Sequence, residues 1–168
     1  HTTNDLNLNF DITNLPTGQL AEATITGYDQ LGRPNTATIS IDDDANGVGW
    51  FIDTTPQDNS EFTGTDTYFQ ATTNSPASGK YDLLTAILHE MGHTIGLING
   101  YSQFNQNING RQFYTDSTHS YTLSSDLSHL DNTLYPNDLL NTNLKPGIRK
   151  LPSTMDWAII NAISGNTG

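Results

Sequence analysis

Cysteine is absent from the 168 residues, and that absence removes disulfides, thiolate zinc sites and cysteine nucleophiles together. It leaves the compartment open, because an exported domain can be stapled by metal instead. Basic side chains are scarce: six Lys and Arg face 18 Asp and Glu, a net charge of −12. Such a surface repels phosphate backbones and anionic lipid, so nucleic acid and membrane are not expected partners. Glutamate is scarce as well, with 3 residues against 15 aspartates. Aspartate suits turns, caps and hard-cation sites better than helix interiors, which points to a loop-rich chain and makes calcium a candidate cofactor. Long apolar runs are missing, and no charged-then-apolar leader opens the chain at His1. Hydrophobic residues make up 34 % and the mean hydropathy is −0.49, so the core is small. The length fits one domain, and the expectation is a soluble, exported monomer whose export signal has been removed or lies outside the chain.

The first eighty residues read as strands and turns. Leu6 to Ile12 alternates apolar and polar, the period of a half-buried strand. Ala21 to Tyr28 and Thr36 to Ile41 are rich in Thr and Ile, and Asp29 to Asn35 between them carries the Gly and Pro of a hairpin connection. A short strand is expected at Gly49 to Ile52, while Thr54 to Ser78 has no clear period. Tyr81 to Ile95 changes character. Leu83, Leu84, Ile87, Leu88, Met91 and Ile95 form one helical stripe that Gly96 closes. Leu97 to Leu127 is polar and long for a structureless loop, so it is expected to be functional or partly folded. At the end, Ser153 N-caps a helix with Asp156 at its third position, a variant of the capping box. Met155, Ala158, Ile159, Ala162 and Ile163 give it one apolar face and Gly165 its stop.

The chemistry concentrates in His89-Glu90-Met91-Gly92-His93, an H-E-x-x-H run on the most helical segment of the chain. Residues four apart share a helix face, so both imidazoles can turn a nitrogen toward one zinc ion. Glu90 then lies beside them, placed to take a proton from a metal-bound water. With 5 His and 3 Glu in the chain, the run arises by chance in on the order of 0.3 % of such compositions. That makes it specific. A catalytic zinc needs a third protein ligand, and no Glu follows Glu90, which excludes recruitment of a downstream glutamate.

Gly96 extends the match to H-E-x-x-H-x-x-G, and here the chain resembles the metzincin clan of zinc metallopeptidases, with a matrixin-like flavour. In that clan a third histidine follows three residues after the glycine; this chain has Asn99 there, a neutral amide and a poor zinc ligand. Some members, the leishmanolysins among them, insert a long segment before the last histidine, and the polar stretch after Leu97 looks like such an insertion. Of His1, His119 and His129, His129 is favoured, with His119, an aspartate (Asp116, Asp126 or Asp131), Asn99 or water as alternatives. The run Tyr135 to Asn141 after it looks like the methionine-containing turn beneath the zinc, with Leu140 in the methionine's place; Met155 is the alternative. The resemblance covers roughly residues 81–163. It implies an α+β catalytic domain with a twisted mixed sheet, a backing helix, the active-site helix and a C-terminal helix. Substrate would lie extended along an edge strand, and Tyr135 is the nearest candidate to stabilise the oxyanion. The clan is usually made as a zymogen; no pro-segment is recognisable, so an excised mature domain is expected.

A second constellation is acidic. Asp42, Asp44, Asn46 and Asp53 occupy positions one, three, five and twelve of an EF-hand-type loop, with Gly47 at its sharp turn. The flanks read as strands, so the expectation is a structural calcium loop between strands, or else a plain acidic turn. Together these readings describe one domain over residues 1–168, with a sheet and active-site helix in 1–96 and the insertion, turn and last helix in 97–168. The expected activity is zinc-dependent hydrolysis of protein or peptide substrates, with zinc on His89, His93 and His129 and Glu90 as general base. The competing readings are a zinc hydrolase with an aspartate ligand and a calcium-stabilised secreted adhesion module with a vestigial zinc site.

Overall fold

The computed structural model describes residues 5–164. Strands β2 (Ala21–Tyr28) and β3 (Pro34–Asp42) form the expected antiparallel hairpin, and β1 (Asn7–Thr13) runs parallel along the other edge of β3. Asp29 shapes the connection by accepting from the amides of Leu31 and Arg33 and from Arg33 Nε at 2.7 Å. Alternation along β3 sends Ala37, Ile39 and Ile41 into the core. β1 departs from the half-buried pattern that its alternation suggests. Phe10 and Ile12 are 54 % and 71 % exposed, because helix α1 (Leu83–Thr94) packs chiefly on β2 and β3 and leaves β1 uncovered.

Shorter strands brace the start of α1. β4 (Trp50–Phe51) pairs in parallel with β7 (Tyr81–Asp82), which leads directly into the helix. Residues 54–78, aperiodic in sequence, hold the hairpin of β5 (Phe62–Thr65) and β6 (Tyr68–Ala71), and β11 (Ile148–Lys150) adds to β6. From β11 the fully buried Arg149 reaches back. Its guanidinium binds Asp82 through Nε at 2.8 Å and Nη2 at 2.9 Å, binds Asp53 at 2.8 Å, and lies 4.5 Å over the Phe62 ring. Burial opposes the charge on Arg149, but the two carboxylates outweigh it and raise its pKa. A buried charge this well matched ties the last strand to the N-cap of α1.

The remainder forms a second core. After α2 (Ser102–Asn105) come β8 (Ile108–Asn109), β9 (Gln112–Tyr114) and β10 (Ser120–Thr122), an antiparallel meander inside the polar 97–127 stretch, which is partly folded, as its length suggests. Leu97, Phe104, Phe113, Leu123, Leu130 and Leu140 pack there against Ile159 and Ile163 of α3 (Thr154–Ile163). The capping box of α3 is complete: Ser153 Oγ accepts from the Asp156 amide and Asp156 Oδ2 from the Ser153 amide. Gly165, expected to end this helix, lies outside the described residues, as does His1.

The architecture is thus mixed α+β with several small sheets in place of one twisted sheet. Among the described residues no helix precedes Leu83, so the backing helix that the resemblance implies is missing there. No described helix is long and apolar enough to cross a membrane. The apolar stripe on α1 also needs correction. Its deepest positions are Thr85, Ala86, Glu90, Gly92, His93 and Thr94, whereas Leu83, Leu84, Ile87, Leu88 and Met91 are half-buried and Ile95 is exposed. The helix is wedged between β2, β3 and the second core, and its small and polar face is the one that enters most deeply.

Candidate metal centre

His89 and His93 stand one turn apart on α1 with their Nε2 atoms 3.2 Å from each other. His129, from the segment between β10 and β11, brings its Nε2 to 3.1 Å from that of His93. The outer nitrogens decide what these inner ones carry. His89 Nδ1 lies 2.7 Å from the Leu139 carbonyl, His93 Nδ1 2.7 Å from the Leu97 carbonyl, and His129 Nδ1 2.7 Å from Asp126 Oδ2. Carbonyl and carboxylate oxygens only accept, so each Nδ1 donates and each neutral ring presents a bare lone pair at Nε2. Burial and the neighbouring imidazoles pull the pKa of His89 down to about 3; burial and His129 pull that of His93 down to about 4. Three converging lone pairs repel one another unless a cation lies between them. A tetrahedral ion with N-bonds of about 2.0–2.1 Å spaces its ligand atoms by about 3.3 Å, so the residues present fit a transition-metal ion.

Local structure explains the convergence. Gly96 takes φ +121° just past α1, where the Leu97 amide donates to the Gly92 carbonyl and the Gly96 amide to that of His93. This is a Schellman ending, and it swings the Leu97 carbonyl back onto His93. Only glycine fits, because a Cβ here would sit 2.7 Å from the Tyr101 ring. Leu140 is buried directly against the helix that carries His89 and His93: a Cβ on Gly92 would lie 2.8 Å from its Cδ2. The Leu130 amide donates to the Leu140 carbonyl at 2.9 Å, which ties the segment bearing His129 to the one bearing Leu139. Met155, the alternative for this place, packs on α3 against the second core.

Glu90 turns the other way from the stripe, into contact with β2. Burial, reinforced by Glu22, pushes its pKa up to about 7, and the Ala23 amide partly offsets this. His89, Glu90 and His129 all line one cleft of about 550 Å³ between the 17–21 segment leading into β2 and residues 139–144.

No family model, curated protein or solved structure matches this chain.

The other candidate ligands are placed elsewhere. His119 pairs with Asp116 at 2.8 Å in an exposed turn, and hydrogen bonds from Thr118 and His119 hold that carboxyl far below its ordinary range. Asp131 pairs with Arg111 at 2.8 Å. Asn99 Oδ1 accepts from Asn105. Asp126 stands behind His129. Burial works to raise its pKa, but donors on Ser124, Ser128 and His129 outweigh that and keep it ionised. Tyr135, whose hydroxyl accepts from the Thr122 amide, is not among the residues that line the cleft.

The acidic loop is also corrected. Asp53 is held by Arg149 and does not join Asp42, Asp43 and Asp44, whose carboxylates cluster at the end of β3. Asp42 accepts from the Asn46 and Leu15 amides, which lower its pKa, and Asp44 accepts from Gly47. Asn46 accepts from Gly18 and donates to Gln19. These residues brace the turn beside the cleft, and the EF-hand spacing is not realised as a loop. What sequence reading missed is the set of backbone carbonyls at Leu97 and Leu139, for which no residue type is a signal. It also missed Lys150, which lines the cleft from β11.

Proposed function

We propose that the chain is an exported zinc metalloendopeptidase of metzincin type, with His89, His93 and His129 holding the metal and Glu90 as general base. The observation that carries this reading is the convergence of three Nε2 lone pairs, with His89, His129 and the buried Glu90 lining one cleft. The Gly96 turn and Leu140 beneath the helix support the metzincin assignment; the lack of a helix before Leu83 among the described residues sets the chain apart from the usual clan architecture.

When bound, zinc supplies a Lewis acid that acidifies a water molecule and polarises the scissile carbonyl. Glu90 would take the proton of the attacking water and return it to the leaving amine. Its buried setting suits both steps, because a carboxyl pushed toward neutral pH takes and releases a proton with little bias. β2 is the edge strand of its sheet beside the cleft, so an extended peptide can align along it by backbone hydrogen bonds. The outward Nδ1 bonds keep all three rings in the metal-binding tautomer throughout.

Glu90→Ala tests the reading. The variant should keep one zinc per chain by elemental analysis and lose at least about 100-fold in hydrolysis of an unfolded protein, the range a positioned general base contributes. Turnover retained at the wild-type rate by the zinc-loaded variant would refute it.

A further inference from the structure

Among the described residues Lys150 is a buried charge with no ionic partner. It is 3 % exposed, and its Nζ donates to Asn141 Oδ1 at 3.0 Å and to the Asn143 carbonyl at 2.6 Å. Both partners are neutral. No carboxylate among the described residues lies within 4.0 Å of Nζ, unlike Arg149 next to it in sequence, which is matched by two. An ammonium carries three donors, so one remains. Burial lowers its pKa only to about 8, and Asp138 and Asp156 act against that fall, so the group is charged at neutral pH.

Its position gives the spare donor a use. Lys150, Asn141 and Asn143 line the same cleft as His89 and Glu90, and the Lys150 charge reaches His89. Tyr81 and Leu144 also line the cleft, and the Thr85 hydroxyl fixes the lysine's backbone by accepting from the Lys150 amide at 3.0 Å. We propose that Lys150 makes this end of the cleft a carboxylate subsite, which selects substrates with an acidic side chain beside the scissile bond or with a free C-terminal carboxylate there. In either case the carboxylate oxygen takes the remaining Nζ donor while Asn141 and Asn143 hold the lysine in place. The two asparagines are positioning residues. A neutral amide at the same place offers a weaker acceptor, and a lysine or arginine meets like charge.

The inference rests on the peptidase reading for its substrate, so the test separates the two. Matched fluorescent peptides would carry Asp, Asn, Lys or Leu on either side of the cleavable bond, or end there in a free carboxylate or an amide. Binding to zinc-loaded Glu90→Ala is measured by anisotropy, and cleavage by the unmodified chain is measured in parallel. Asp should bind and be cleaved at least about tenfold better than Asn at one of the two positions, as a charge-assisted hydrogen bond predicts. Lys150→Met should remove the preference while zinc content stays at one per chain. The Asp-to-Asn comparison on the unmodified chain decides the matter even where Lys150→Met fails to fold. Preference for the free terminus over its amide, without side-chain preference, would assign the carboxylate to the chain end. Equal binding of Asp, Asn, acid and amide peptides overturns the subsite and leaves the peptidase standing. Discrimination in binding with no cleavage of any peptide overturns the peptidase and leaves the subsite.

Discussion

A histidine ligand is only as good as the atom behind it. His89 and His93 lean on backbone carbonyls, whereas His129 leans on a carboxylate, Asp126, which donors on Ser124, Ser128 and His129 itself keep ionised. A carboxylate makes the imidazole more basic and fixes its orientation, and it does so for the one ligand that comes from a loop and not from α1. The loop itself is tight, with Leu127 at φ +57° between Asp126 and Ser128. Asp126→Ala should therefore weaken zinc binding by about 10–100-fold, as loss of such a partner generally does. Asp126→Asn retains an acceptor oxygen and should recover part of that loss. Competition with a chromogenic chelator measures both, and equal affinity in wild type and Asp126→Ala would show that His129 is oriented by packing alone.

At the scale of elements, α1 is positioned from both ends. Arg149 holds Asp82 at its start, and the Gly96 turn closes it against Tyr101 and Ile163. Gly96→Ala adds a left-handed residue and a Cβ 2.7 Å from the Tyr101 ring. Backbone strain of this kind costs roughly 1–3 kcal/mol, and the steric contact adds to it. Because the same turn aims the Leu97 carbonyl at His93, zinc affinity should fall together with the urea midpoint. A variant that lost stability yet bound zinc unchanged would uncouple the turn from the site. The elements that periodicity revealed are those with a local cause: β2, β3, the run containing α1, and α3 with its capping box. Hidden from it were β5 and β6, where only Phe62 is fully buried, and the meander of 108–122, which is polar because each strand is three residues or fewer. The site followed the same division. His89, Glu90 and His93 are fixed by helical spacing, so the motif alone places them. His129 comes from 36 residues beyond His93, and only the insertion implied by the resemblance pointed to it. Asp53 shows the opposite failure: correct spacing for a cation loop, but a buried arginine took the carboxylate.

Across the whole molecule the three-histidine cluster joins two cores. His89 and His93 belong to the helix that packs on the β2–β3 sheet, while His129 and the Leu139 carbonyl belong to the segment packed on α3. Without a cation the three Nε2 atoms repel, and the join is held by the outer hydrogen bonds. Folding also keeps His89 and His93 neutral, with pKa values lowered to about 3 and about 4 from 6.5. The unfolded chain therefore binds protons first, so this contribution to stability is full above pH 6.5 and drains away as pH falls toward 4 and below. A metal amplifies the trend, because protons and metal compete for the same lone pairs. Zinc at 100 times its dissociation constant adds about 2.7 kcal/mol. For a domain of this size each kcal/mol moves the melting temperature by about 2–4 °C, so chelation at pH 7.5 should lower it by on the order of 5–10 °C. The gap between zinc-loaded and chelated protein should then narrow as pH is brought down to 5.5. Scanning calorimetry at the two pH values measures it; a melting temperature indifferent to chelation at pH 7.5 would mean that the two cores are held together without the metal.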